Sequence, residues 1–225
     1  MKIGLVLPSI PGYSETFFKN KIKGLQTEGH EVILFVNSSN SKASFSCTIK
    51  TAPKLAGSFF AIFFISVLML LKCFLFSFKA TCKLYEADKK DGHSFVNRIR
   101  SIIINSHILS ESLDWLHFGF GTMALGRENV ASAIGAKMAV SFRGYDHYVY
   151  PIKNKKCYEK LYQKECKYHV LSDGMLRALI NQGIDLKSIV KITPAIDIDL
   201  FSGQSHQFKN KEVIDIVSVS RLHWI

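Results

Sequence analysis

Between Ile3 and Val36 the sequence sets out a strand, a helix and a second strand, and this unit restricts the fold more than any other feature of the chain. Ile3–Leu7 is a short apolar run followed by Pro8. Glu15–Glu28 is periodic, placing Phe17, Phe18, Ile22 and Leu25 on one helical face. Gly29 ends that helix, and Glu31–Val36 has the length and content of a buried strand. Two strands joined by one helix imply parallel pairing through a right-handed crossover.

The same rhythm resumes further on. Helices are expected around Phe95–Ser110, at Thr122–Ile134, near Tyr158–Glu165 and at Asp173–Asn181, the last ended by Gly183. Strands are expected at Asp114–Phe118, Lys137–Phe142, Tyr168–Leu171 and Ile189–Thr193. This alternation predicts the α/β class and a Rossmann-like, doubly wound parallel sheet, whose ligand lies at the C-terminal ends of the strands. From Ser202 to Lys211 the text turns polar, and Val213–Val219 reads as a fresh strand. The expected organisation is a first domain over 1–201, a linker over 202–212 and the start of a truncated second domain over 213–225, since a lone strand is not a domain.

With 225 residues and 48% hydrophobic content the chain has ample material for a core. Its net charge of +11 suits an anionic partner such as a membrane leaflet, a nucleotide or a nucleic acid, and suits equally a solvated basic surface. Five cysteines without a CxxC pair or metal-ligand spacing point to reduced thiols and a cytoplasmic location. Leu55–Phe78 is long and apolar enough to span a bilayer, but it lies between the second strand and the rest of one sheet. A single crossing would put strands of that sheet on opposite sides of the membrane. Two readings remain: an interfacial hairpin lying along the membrane's inner face, flanked by Lys72, Lys79, Lys83, Lys89 and Lys90, or a pair of core helices. The first carries the expectation that the protein binds anionic liposomes.

Candidate site residues cluster after strands. The loop after the first strand, with Gly12, Ser14 and Glu15, offers N–H groups and hydroxyls at a helix N-terminus, for an anion, a sugar hydroxyl or simply a helix cap. His117 closes its strand and is followed by Gly119, Gly121 and Gly126, a loose relative of the dinucleotide fingerprint. The next strand runs into Arg143-Gly144-Tyr145-Asp146, where Arg143 is suited to a phosphate or anionic acceptor. There Gly144 is suited to a tight turn, and Asp146 to sugar hydroxyls or to capping the turn.

Several segments together resemble glycosyltransferase family 4. They are Pro11-Gly-Tyr-Ser-Glu-Thr-Phe-Phe with Gly29-His-Glu-Val, Leu116-His-Phe-Gly, Ser141-Phe-Arg-Gly-Tyr-Asp, His169-Val-Leu-Ser-Asp and Lys191-Ile-Thr-Pro-Ala-Ile-Asp-Ile-Asp-Leu-Phe. Val217-Ser-Val-Ser-Arg-Leu resembles the strand that opens that family's second domain. The resemblance is strongest to bacterial enzymes that build exopolysaccharide or lipopolysaccharide sugars. It implies the N-terminal half of a GT-B fold and a retaining transfer of a hexosyl group from a nucleotide-sugar to a saccharide or lipid-linked acceptor, with no metal or other cofactor.

By the same resemblance Gly12, Ser14 and Arg221 lie near the donor phosphates, and Glu15 and Gly144 at the acceptor cleft, with His117, Arg143 and Asp146 as the catalytic set. Arg143 stands where the family commonly has histidine. The lysine and acidic motif expected after Arg221 would fall beyond Ile225, so this chain alone is expected to transfer no sugar. The leading alternative is a non-catalytic, membrane-associated fragment or pseudoenzyme of that family. A nicotinamide-dependent oxidoreductase is disfavoured because the first loop lacks Gly-x-Gly-x-x-Gly. No helix-turn-helix, zinc or aromatic-basic signature supports a nucleic-acid partner.

Overall fold

The computed structural model describes residues 1–12, 16–38 and 47–194. The linker over 202–212, the strand expected at 213–219, and Ser14, Glu15 and Arg221 lie outside the described residues. The first strand, β1 (Lys2–Ser9), pairs in parallel with β2 (Glu31–Ser38), Leu5 opposite Leu34, and α1 (Thr16–Thr27) makes the crossover. Gly29, at φ 76°, takes the left-handed conformation that lets the chain leave α1 and enter β2 across three residues.

Among the described residues seven strands form one all-parallel sheet in the order β3-β2-β1-β4-β5-β6-β7. They are completed by β3 (Thr48–Thr51), β4 (Trp115–Phe118), β5 (Lys137–Ser141), β6 (Lys167–Val170) and β7 (Ile189–Lys191). The chain builds outward from β1 to β3 and then returns to the other side of β1, so strand order reverses between β1 and β4. That junction is the topological switch point, where sheets of this kind open a crevice. The edge strand β3 is an addition to the sequence reading; Thr48-Ile-Lys-Thr is too short and polar to register as a strand by periodicity alone.

Two apolar layers hold the sheet. On one face α1 inserts Phe18 and Ile22 against Leu5, Leu7, Val32, Leu34 and Val36. On the other, Val6, Phe35, Leu116, Phe118, Val140, Tyr168 and Val170 pack beneath α4 (Phe95–Leu109), α6 (Val130–Ile134), α8 (Glu159–Tyr162) and α9 (Asp173–Asn181). Burial of each large side chain contributes roughly 1.5–3 kcal/mol.

Three elements depart from the expected pattern. Thr122–Ile134 is not one helix but two short ones, α5 (Gly121–Ala124) and α6, separated by a bend with Gly126 at φ 70°. The bend lets Arg127 donate to Asn105 at 3.0 Å, and Asn129 to Asp88 at 2.9 Å and Asp91 at 2.7 Å. After β5 the chain winds through a π-helical turn, Tyr145–Val149, into the short helix α7 (Tyr150–Lys153).

The apolar stretch, finally, forms α2 (Phe59–Phe76), followed at Ser77 by α3 (Phe78–Lys90). Only one stripe of α2 meets the protein: Ile62, Ile65, Ser66, Met69 and Leu70 are half-buried and Cys73 is buried, while the remainder is exposed. The core-helix reading therefore fails for α2, because α4 already covers the sheet beneath it and no further layer closes over it among the described residues.

Candidate active site at the switch point

At the C-terminal ends of β4 and β5, beside β1 and α1, the loops singled out by the sequence come together. Close packing at two glycines makes this possible. A Cβ on Gly119 would lie 2.9 Å from the Phe18 ring, and one on Gly121 would lie 2.9 Å from the Phe142 ring. Hydrogen bonds then tie the β5 loop to the β4 loop. Asp146 Oδ1 accepts from the Thr122 backbone N–H at 3.0 Å and from its hydroxyl at 2.9 Å, while Tyr158 donates its hydroxyl to the Asp146 carbonyl at 3.1 Å.

Arg143 joins these loops to α1. Its guanidinium carbon lies 3.9 Å from the ring centroid of Phe17, 4.9 Å from that of Phe18 and 5.6 Å from that of Phe120, an aromatic seat for a cation. Its charge is felt by Lys21, whose ammonium is pushed down to about 8, first by burial and then by the proximity of Arg143.

From Lys21 a chain of hydrogen bonds runs across the sheet. Lys21 Nζ lies 3.0 Å from His117 Nδ1, His117 Nε2 lies 2.8 Å from Ser141 Oγ, and Ser141 Oγ lies 2.8 Å from His169 Nδ1. His169 Nε2 lies 3.1 Å from the Ile192 carbonyl oxygen. A carbonyl only accepts, so the chain has one direction. His169 donates from Nε2 and accepts at Nδ1; Ser141 donates to His169 and accepts from His117 Nε2–H; His117 accepts from Lys21 at Nδ1. Both imidazoles are then neutral. Their affinities agree with this: burial, followed by the charge of Lys21, holds His117 well below its ordinary value, and burial lowers His169.

No protein-family model and no curated protein matches the sequence. Among solved structures the chain is similar to the apo form of the lipopolysaccharide outer core galactosyltransferase WaaB, at 14% identity and a TM-score of 0.47. The match covers 88% of this chain and 47% of that one, so the chain spans about half the length of the structure it matches.

The expected site residues therefore divide. Arg143 and Asp146 sit at the strand ends beside the switch point. Asp146 is 1% exposed, and its carboxylate braces the α5 loop instead of facing open space. His117 lies on the sheet face with both ring nitrogens engaged, short of the rim. It borders a cavity of about 200 Å³ shared with Lys21, His30 and Trp115, towards the N-terminal ends of the strands. Gly144 is exposed and has φ −51°, a right-handed helical value open to any residue, so the tight-turn argument for a glycine there does not apply. Gly12 is exposed just beyond β1.

Sequence reasoning did not single out Lys21, Ser141 and His169 as site residues. Ser141 and His169 fall on the same face of neighbouring strands as His117, a relation set by register that no local motif announces. A larger cavity, about 420 Å³, is lined by Trp115, Lys137, Lys164 and Lys167. Trp115, Lys137 and Lys167 are strand-opening residues, which places it at the N-terminal ends of the strands, opposite the switch-point loops. Among the described residues no group of three or more His, Cys, Asp or Glu is placed to hold a metal ion.

Proposed function

We propose that the chain supplies the acceptor-side domain of a GT-B glycosyltransferase of family 4. The transfer is retaining and needs no metal, passing a hexosyl group from a nucleotide-sugar to a saccharide or lipid-linked acceptor. The observation that supports this reading is the convergence at the switch point. Three segments distant in sequence, two within blocks on which the resemblance rests and the third directly after the Leu116–Gly119 block, meet there through Arg143 on Phe17, Phe18 and Phe120 and through Asp146 on Thr122.

In this reading Arg143 and Lys21 provide positive charge for an anionic substrate group, a task suited to a guanidinium held by aromatic rings. Asp146 acts as a positioning residue, fixing the β5 loop against α5. The neutral His117–Ser141–His169 chain anchors Lys21 from below.

The test is transfer of radiolabelled hexose from nucleotide-sugars to lipid-linked saccharides by the product of the natural reading frame, compared with Arg143→Ala and Asp146→Ala variants of matched circular dichroism. Loss of transfer is expected in both, with the KM for substrate raised most in Arg143→Ala. Absence of any transfer by the parent protein, or undiminished turnover in both variants, would overturn the reading.

A further inference from the structure

The outward face of α2 has no role in the switch-point site, and it carries a large apolar surface. Phe59, Phe60, Phe63, Phe64, Leu68 and Leu71 are exposed, Phe60 by 81%, and the surface continues through Phe74, Leu75 and Phe76. It extends onto the start of α4, where Phe95 and Val96 are also exposed. Between the two helices lies an apolar groove of about 400 Å³, with Leu55, Ser66 and Ile103 in its walls and Arg100 among its lining residues. Contiguous apolar surface on this scale marks a site of contact.

We propose that α2 is a monotopic membrane anchor, lying in the plane of a lipid bilayer with its outer face in the acyl-chain region. Three observations select lipid over a protein partner. First, α2 is apolar through most of its circumference, with Lys72 as its one charged residue, whereas a protein interface carries a polar rim and paired hydrogen bonds. An interfacial helix ordinarily has a polar face of its own; here the protein body takes that place. Second, charge complements an anionic leaflet. No Asp or Glu occurs from Leu55 to Tyr85, while Lys54, Lys72, Lys79 and Lys83 are exposed along the same stretch.

Third, the fold excludes a crossing. The inner stripe of α2 packs on α4, Thr81 at the start of α3 donates to the Cys73 carbonyl at 3.4 Å, and α3 returns to pack on α4 and α6. Both ends of α2 thus stay with the domain, and a helix of spanning length is held parallel to the protein surface. The inference is independent of the reaction proposed above.

Flotation of the full chain with phosphatidylcholine vesicles, with and without added anionic lipid, tests it. The parent protein is expected to float with both at high salt, and anionic lipid to tighten binding further at low salt. Phe63→Lys, Phe64→Lys and Leu68→Lys combined should lower partitioning by at least about tenfold per position while leaving the circular dichroism melt unchanged. Phe64→Trp should add fluorescence that brominated lipid quenches, which places that side chain among acyl chains whether or not the lysine variant folds. Flotation confined to low salt, an unquenched Trp at 64, or a lipid-free dimer that the lysine variant dissociates would each overturn the proposal.

Discussion

On either side of the switch point the same sheet uses its two faces differently. In β1 and β2, Ile3 and Leu5–Leu7 and then Val32–Val36 are buried without interruption, because α1 covers one face and the α4 layer the other. In β4, β5 and β6 the residues alternate. Leu116, Phe118, Met138, Val140, Tyr168 and Val170 are buried in the α4 layer, whereas Trp115, His117, Lys137, Ala139, Lys167 and His169 are half-buried or exposed on the opposite face. Parallel strands are normally buried on both faces, so this departure marks where the molecule keeps polar chemistry. Stability resides in one face of this half; the other is free to carry Lys21, His117, Ser141 and His169.

Substitutions can test that division directly. The largest effect is expected for Phe118→Ala, which empties a fully buried position in the shared core and should cost about 3–5 kcal/mol by chemical denaturation. A smaller loss there would mean that the apolar layer of this half is looser than that beneath β1 and β2.

Next in size is Ser141→Ala. It leaves His117 Nε2–H and His169 Nδ1 without their shared partner and should cost about 1–3 kcal/mol. Imidazole nitrogen shifts should change at both histidines together; a change confined to one would break the proposed one-way chain.

Acid compares the two halves through their histidines. His107 lies edge-on to Phe35 of β2, and burial, followed by the charge of Arg127, pushes it down to about 4. His117 and His169 are lowered as well. Each is neutral when folded but takes up a proton in the unfolded chain near its ordinary value of 6.5. Stability is therefore full above about pH 6.5 and falls as pH drops below it, by about 1.4 kcal/mol per pH unit for each such proton. For His107 the fall continues to about pH 4. Denaturation midpoints across this range, with His107→Phe removing one proton from the slope, separate the β2 side from the relay side.

The smallest effect belongs to Lys137→Ala on the open face of β5. Its side chain is exposed and its ammonium lies 5.7 Å from the Trp115 ring centroid. A change within about 0.5 kcal/mol is expected from thermal melts. A large loss would show that this face is covered more fully than the described residues indicate.

Local pattern carried much of this molecule. The helix expected over Asp173–Asn181 forms over those residues, because Ser172 caps it by accepting from the Met175 N–H and Gly183 follows it at φ 85°. The strand expected at Asp114–Phe118 forms as β4 (Trp115–Phe118), and the one expected at Tyr168–Leu171 forms one residue earlier as β6 (Lys167–Val170). Periodicity could not see the break between α5 and α6, since it depends on Asn129 reaching Asp88 and Asp91 about 40 residues earlier.

By itself, then, the sequence determined the α/β class, the parallel crossover and the position of the long apolar helix, since each depends on side-chain period and on neighbours within a few residues. Tertiary structure decided three things that sequence left open. The register of β4, β5 and β6 put His117, Ser141 and His169 on one line and drew Lys21 to it from α1. The turn after β5 carried the Asp146 carboxylate inward to Thr122. The packing of α4 on the sheet left α2 with only one stripe to bury, so a segment that composition alone leaves open between a core and a bilayer presents its phenylalanines outward. Each of these rests on contacts between residues distant in the chain, and the free energy of such contacts is fixed only when the elements meet.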